Sequence, residues 1–209
     1  MRTFHKTLGL VMLLPFIAWA ITGIFFYFKP GYQEAYQPVP IKLYPLTKSI
    51  TLPQQHNWLE IKQFRTILGD HLLVKNTDGW QQLNPINLQP ITTLSQGEVN
   101  RLVNDAIESK AERYGEIATI DNFEITTTSD VRITLNWPQL SLRQQGKDTD
   151  FINTIYDIHY LRWTGIKALD QILGVVGLLL VVVLAAIGTY LTFKKPRLTL
   201  DYFVKLATR

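Results

Sequence analysis

Two long runs without a single charge constrain this 209-residue chain more than anything else in it: residues 8–28 and residues 172–193, 21 and 22 residues long. At about 1.5 Å of rise per residue, either run as a helix crosses a hydrocarbon core of roughly 30 Å. Lipid offers the backbone no hydrogen-bond partners, so a helix, which satisfies its own amides, is the expected form. Ala18-Trp19-Ala20 has the small-x-small form of a signal-peptide cleavage site. The apolar stretch nevertheless continues to Phe28, which favours a retained span over a cleaved leader.

The net charge is +4 and the pI about 9.2. A basic balance first points to a polyanion such as nucleic acid. Its placement reverses that reading. Arg2 and Lys6 give +2 ahead of the first run, residues 194–209 give +4 after the second, and everything between sums to −2. Basic residues gather on the cytoplasmic side of a membrane. Both termini are therefore expected in the cytoplasm and the middle outside it, with lipid rather than nucleic acid as the partner. Phe25, Phe26, Tyr27 and Tyr32 fit an interfacial aromatic belt at the outer end of the first span.

The chain has no cysteine. Disulfides, c-type haem attachment, iron–sulfur clusters, thiolate zinc sites and cysteine nucleophiles are all excluded. No G-x-S-x-G, H-E-x-x-H, P-loop or G-x-G-x-x-G motif occurs either. Glu108, Glu112 and Glu116 recur at helical spacing and read as a solvated face. The uncharged cores of both runs argue against a transporter or channel acting alone. Pro15 interrupts the first run. Gly174, Gly177, Ala185 and Gly188 in the second either admit a partner helix or reflect the ordinary composition of membrane helices.

Between the runs the expected organisation is a stalk and short helix (29–63), an α+β domain (64–140) and a juxtamembrane segment (141–171). Tails of residues 1–7 and 194–209 flank the whole. The stalk is rich in Pro and Tyr. From Thr51-Leu52-Pro53 a short helical pattern runs through Trp58, Leu59 and Ile61. Strand-like Leu72 to Val74, an Asn76-Thr77-Asp78-Gly79 turn and Trp80 to Leu83 follow. Ser95 with Glu98 forms a capping box ahead of Val99, Leu102, Val103, Ala106 and Ile107, and Gly115 stands where a left-handed cap is expected. Phe123 to Thr126 and Val131 to Trp137 alternate around a turn near Ser129-Asp130. The order helix, strand, strand suggests two tandem units. Phe151, Ile155, Ile158 and Arg162 mark an amphipathic approach to the second span, with His159 and Trp163 beside them and a break at Gly165.

These residues resemble the PepSY-associated transmembrane family. The resemblance rests on His5-Lys6-Thr7-Leu8-Gly9 with Thr22-Gly23 in the first span, and on the 95–137 helix–hairpin as a PepSY-like module. Asp78-Gly79-Trp80 and Asn84-Pro85 precede that module. The third piece is Asp157-Ile158-His159-Tyr160-Leu161-Arg162-Trp163-Thr164-Gly165 before the second span. The implied fold is a membrane protein with two transmembrane helices flanking an α+β periplasmic PepSY-like domain. Larger members have four or more spans and resemble bacterial inner-membrane haem b proteins that reduce ferric chelates or siderophores, with histidines at helix ends as haem ligands. This chain has two spans and lacks the family's second Thr-Gly, since Gly188 lies between Ile187 and Thr189.

By the resemblance, His5 and His159 occupy the haem-ligand positions. His56 and His71 match no motif and read as surface or packing residues. One span holds His5 and His159 on the order of 30 Å apart, so a single iron cannot take both from one chain. Ligands from different chains would be required, through a homodimer pairing like with like or through a larger membrane complex. Read from the residues alone, His5 is an interfacial neighbour of Lys6 at lipid headgroups. His159 is likewise an interfacial neighbour of Tyr160 and Trp163 within reach of Asp157. The other roles open to such a chain are a tethered PepSY binding module that regulates a peptidase through an exposed strand edge, and an accessory subunit.

Overall fold

A computed structural model describes residues 1–47 and 57–194. The chain falls into two units, Met1–Pro30 with the segment from Asn153 onward, and Gly31–Ile152. His56, the Thr51-Leu52-Pro53 start of the expected short helix and the basic tail after Lys194 lie outside the described residues. Helix α1 (Arg2–Phe28) runs unbroken through Pro15. Lys29 ends it in a left-handed conformation, its N–H donating to the Phe25 carbonyl at 2.8 Å.

The second unit begins with a single turn, α2 (Tyr32–Ala35). Its first sheet has the order β1-β2-β3, antiparallel throughout: β1 (Glu60–Thr66), β2 (Gly69–Asn76) and β3 (Gly79–Leu83). The Asn76 side chain accepts from the Asp78 amide at 3.0 Å and shapes the two-residue hairpin loop anticipated there. Strand β2 is buried on both faces, Leu73 entering the main core while Leu72 and Val74 join Leu83 in a second cluster. That explains its continuous apolar run. Where Leu59 and Ile61 suggested a short helix, the chain forms a bend and then β1, with Ile61 paired to Val74.

Helix α3 (Gln96–Ile107) carries the reciprocal Ser95–Glu98 capping box, and its expected apolar face of Val99, Leu102, Val103, Ala106 and Ile107 is buried. A 3-10 turn (Glu108–Lys110) and α4 (Ala111–Tyr114) follow. Glu108 is paired with Lys42 at 2.6 Å rather than merely solvated. A second antiparallel sheet then runs in order as β4 (Ile117–Asp121), β5 (Glu124–Thr127), β6 (Arg132–Asn136) and β7 (Ser141–Gln145). The 29–47 part of the presumed stalk is built into this unit. Val39 bridges to Leu142 and enters the core, and Tyr44 bridges to Arg65.

His71 is buried in a polar chain rather than at the surface. Its Nδ1 lies 3.0 Å from Gln82 Oε1 and its Nε2 2.7 Å from the Thr66 hydroxyl. Gln82 in turn donates to the Trp137 carbonyl at 2.8 Å, tying the first sheet to the loop after β6. Burial holds the His71 pKa below its ordinary 6.5, against the opposing pull of Gln82 and Asp70. The folded state therefore binds fewer protons than the unfolded one. Its contribution is complete above pH 6.5 and is lost as pH falls through the depressed folded value. The thermal midpoint of the full chain, followed by tryptophan fluorescence, should drop between pH 7.5 and 5. His71→Gln should flatten that slope.

Helix α5 (Lys147–His159) takes in Phe151, Ile155 and Ile158 of the pattern expected for 151–163 but ends before Arg162 and leaves Phe151 exposed, and α6 (Lys167–Phe193) is the second long helix. Both long helices extend beyond their uncharged cores, α1 taking in Arg2, His5 and Lys6, and α6 Lys167 and Asp170. Each has 27 residues, about 40 Å of helix. Leu10, Val11, Leu14 and Ile21 on α1, and Ile172, Leu179, Val182 and Val183 on α6, present their side chains outward. Such an apolar exterior is what a bilayer covers.

Candidate functional site

One face of α1 receives His159. Trp19, Thr22 and Phe26 recur at helical spacing, and each touches it. The Trp19 indole N–H donates to the His159 carbonyl at 2.7 Å. Thr22 Oγ1 lies 2.8 Å from His159 Nδ1, and the Phe26 ring stands edge-on at 5.0 Å. Tyr156 stacks on Phe26 at 4.6 Å, fixing the last turn of α5 from the other side. The helix then ends in a Schellman cap. Arg162 N–H bonds to the Asp157 carbonyl at 2.8 Å, Leu161 N–H to the Ile158 carbonyl at 3.3 Å, and Leu161 itself adopts φ 55°. A leucine in the left-handed region costs about 1–2 kcal/mol. Here its buried side chain lies against Gly177, where a Cβ would stand only 2.8 Å from Leu161 Cδ1.

The start of α6 closes the same region. Asp170, buried in its first turn, accepts from the Thr164 amide at 3.0 Å and the Thr164 hydroxyl at 2.7 Å. A carboxylate at a helix N-terminus is also favoured by the helix dipole. Between these elements lies a cavity of about 940 Å³. Trp19, Gly174, Val175 and Leu178 form its apolar wall, while Arg162, Lys167, Asp157 and Asp170 supply charges of both signs. His159 lines it, with Nε2 as the ring nitrogen that Thr22 does not engage.

His5 is elsewhere. It precedes Thr22 by 17 residues on α1, about 25 Å of helix, so the two expected ligand positions are not brought together in one chain. Its ring lies against Gly188, where a Cβ would be 3.3 Å from His5 Cε1. Its Nδ1 is enclosed with no hydrogen-bond partner among the described residues. The glycines of the second run thus have partners within the chain: Gly174 faces the Tyr160 carbonyl, Gly177 faces Leu161 and Trp19, and Gly188 faces His5. Sequence reasoning noted Thr22 only as part of a Thr-Gly pair. The contact with His159 spans 137 positions, and no local periodicity reveals it.

Among the described residues no three His, Asp or Glu side chains converge as metal ligands. What His159 offers an ion is one nitrogen. Iron already held by the ring nitrogens of a porphyrin asks the protein for axial ligands alone, and a cavity of this size is in the range that holds a cofactor. A half-site for such a group fits His159.

The architecture and this region define a membrane protein with two long apolar helices and an α+β unit between them. The chain belongs to the PepSY-associated TM region family, whose family model matches residues 2–209. Neither a curated protein nor a solved structure matches it.

Proposed function

We propose that this protein is an inner-membrane haem b electron carrier that supports ferric-chelate or siderophore reduction outside the cytoplasmic membrane. In this reading both termini are cytoplasmic, as the basic tails favour, and the α+β unit is periplasmic. The observation that carries the reading is His159: one ring nitrogen bonded to Thr22, the other free, on a cavity with an apolar wall and charges of both signs. Lys167 would suit a haem carboxylate, as would Arg162 on exchanging its ion pair with Asp157, and Trp19 would suit the macrocycle. The bound haem supplies reversible one-electron chemistry; the chain orients the imidazole and keeps water from one side of it. Because one chain offers a single histidine at each place, His159 and His5 would each hold the group together with the same residue of a second copy in a homodimer. A partner subunit is the other source of that second ligand.

The test is a reduced-minus-oxidised visible spectrum of protein purified from haem-replete cells. Soret and α bands are expected, with His159→Ala removing about half of their intensity and a ferric chelate reoxidising the reduced form. Absence of bands sinks the haem assignment, and bands that no ferric chelate reoxidises sink the substrate class.

The tethered binding-module reading has one observation of its own, the outer position of β4 in its sheet. A register shift between Ile117 and Thr119 interrupts that edge, and bulges of this kind discourage strand addition. The redox reading is the better supported.

A further inference from the structure

We infer that Thr22 is the positioning residue of His159: its hydroxyl oxygen accepts the Nδ1 proton, so that the neutral ring carries its free lone pair on Nε2. The inference rests on the haem reading for its purpose and on hydrogen-bond geometry for its content. Thr22 is 3 % exposed within an apolar helix, where its own proton needs an acceptor. The Ala18 carbonyl, one turn earlier, is 2.7 Å away and takes it, with the Trp19 carbonyl at 3.3 Å as a second acceptor. A hydroxyl has one proton to give. With that proton spent on the backbone, only lone pairs of Oγ1 face His159 Nδ1 at 2.8 Å. A ring without a proton on Nδ1 would set two acceptors against each other. The tautomer inferred for His159 is therefore the one with its proton on Nδ1 and a bare Nε2.

Two further contacts restrict the ring. The Trp19 bond to the His159 carbonyl fixes the backbone beneath it. Phe26 and Tyr160, both edge-on at 5.0 and 5.4 Å, restrict its rotation. Histidines that bind metals commonly have their second nitrogen committed in this way, and loss of the commitment typically costs about 10–100-fold in metal affinity. Here the committing group lies on the first span, so α1 both crosses the membrane and sets the chemistry of a residue 137 positions later.

Nitrogen-15 NMR of the apo full chain, labelled at histidine and held at alkaline pH, reads the tautomer directly. The expected result is a protonated Nδ1 and a bare Nε2 for His159. Thr22→Val should release that preference and Thr22→Ser should restore it. In haem-loaded protein Thr22→Val should lose haem about 10-fold faster or more, again with rescue by serine. A wild-type His159 protonated on Nε2, or a tautomer unchanged by Thr22→Val, overturns the inference even if haem binds. A locked tautomer in a protein that takes up no haem leaves the lock standing and removes the haem reading instead. Should Thr22→Val fail to fold, the wild-type tautomer still decides.

Discussion

Replacing Gln144 with leucine is expected to destabilise the α+β unit by roughly 4 kcal/mol, the low end of about 1–3 kcal/mol for each of four polar groups left without a partner, three of them only partly buried. Gln144 lies on β7 and is 6 % exposed. Its carboxamide is saturated. Oε1 accepts from Arg113 Nε at 2.8 Å and from the Tyr114 hydroxyl at 3.0 Å. Nε2 donates to the carbonyls of Glu34 and Gln37 at 3.2 and 2.6 Å. Burial pushes the Tyr114 phenol up, against the pull of Arg113, which keeps it a neutral donor. Arg113 also holds Asp148 at 2.9 Å. Burial raises the Asp148 pKa, but the hydrogen bonds from Arg113 and the Thr149 amide outweigh it and leave the carboxyl below its ordinary range. An apolar residue of similar size fills the space and satisfies none of these groups. Against a total stability of about 5–15 kcal/mol for a domain, the loss approaches unfolding. Gln144→Glu should cost roughly half as much, since it keeps the acceptors and removes only the donors. Denaturation of the full chain by tryptophan fluorescence gives the magnitude, and hydrogen exchange in residues 31–39 gives the location. Unchanged exchange there under Gln144→Leu would show that the carboxamide does not hold the segment.

Gln144 also shows why part of the fold was not legible beforehand. Its strand alternates inward Leu142 and Gln144 with outward Ser141 and Arg143. With a polar residue at an inward position, the period-two hydrophobic signal disappears. Strand β4 was hidden for another reason: the register shift between Ile117 and Thr119 breaks the alternation of Ile117, Thr119 and Ile120. The segment at Leu59 and Ile61 fits a helical spacing locally and becomes strand through its pairing with β2, a partner outside any local window. By contrast the start and the buried face of α3 were legible, because the capping box and the five apolar positions agree. Its end was not, since the helix stops at Ile107 and Gly115, the expected left-handed cap, instead closes α4 at φ 62° and ψ −133°. The long helices were legible in their cores but not at their starts. A hydropathy run stops at the first charge, whereas backbone hydrogen bonding does not. Asp170, inside α6, is stabilised by Thr164, and nothing in composition announces that pair. At the site, His159 and Thr22 were each visible as separate motif residues. Their meeting is tertiary, across 137 positions, and leaves no mark on the local sequence.

Substitutions at the glycines of α6 should have sharply unequal effects, with Gly177→Leu the most severe. A Cβ at Gly177 would meet Leu161 Cδ1 at 2.8 Å and the Trp19 ring at 3.6 Å. The Leu161 methyl can rotate away from a single Cβ, but a leucine side chain also reaches the Trp19 ring, which is the less free to move. Leu161 is the left-handed residue of the α5 cap, and the Trp19 indole is bonded to the His159 carbonyl. Overpacking of this kind typically costs about 1–3 kcal/mol even for modest additions, and a leucine adds far more than a methyl. Displacing Trp19 also frees the His159 backbone, so haem retention should fall about 10-fold or more, as for loss of any contact that orients a ligand. Gly174→Ala makes a useful contrast: its Cβ would meet only the Tyr160 carbonyl at 3.6 Å, an ordinary contact. Little change is expected there, since alanine is also the better helix former. Gly188→Ala falls between them, with His5 Cε1 at 3.3 Å. It should disturb His5 while leaving the His159 signals intact. The ranking, read as thermal midpoints in detergent with haem content beside them, distinguishes two roles for the small residues. If the stripe instead docks a neighbouring helix, the three substitutions should shift the oligomeric state together and leave the His159 tautomer untouched. Severe loss at Gly177 with tolerance at Gly174 is what packing within a single chain requires.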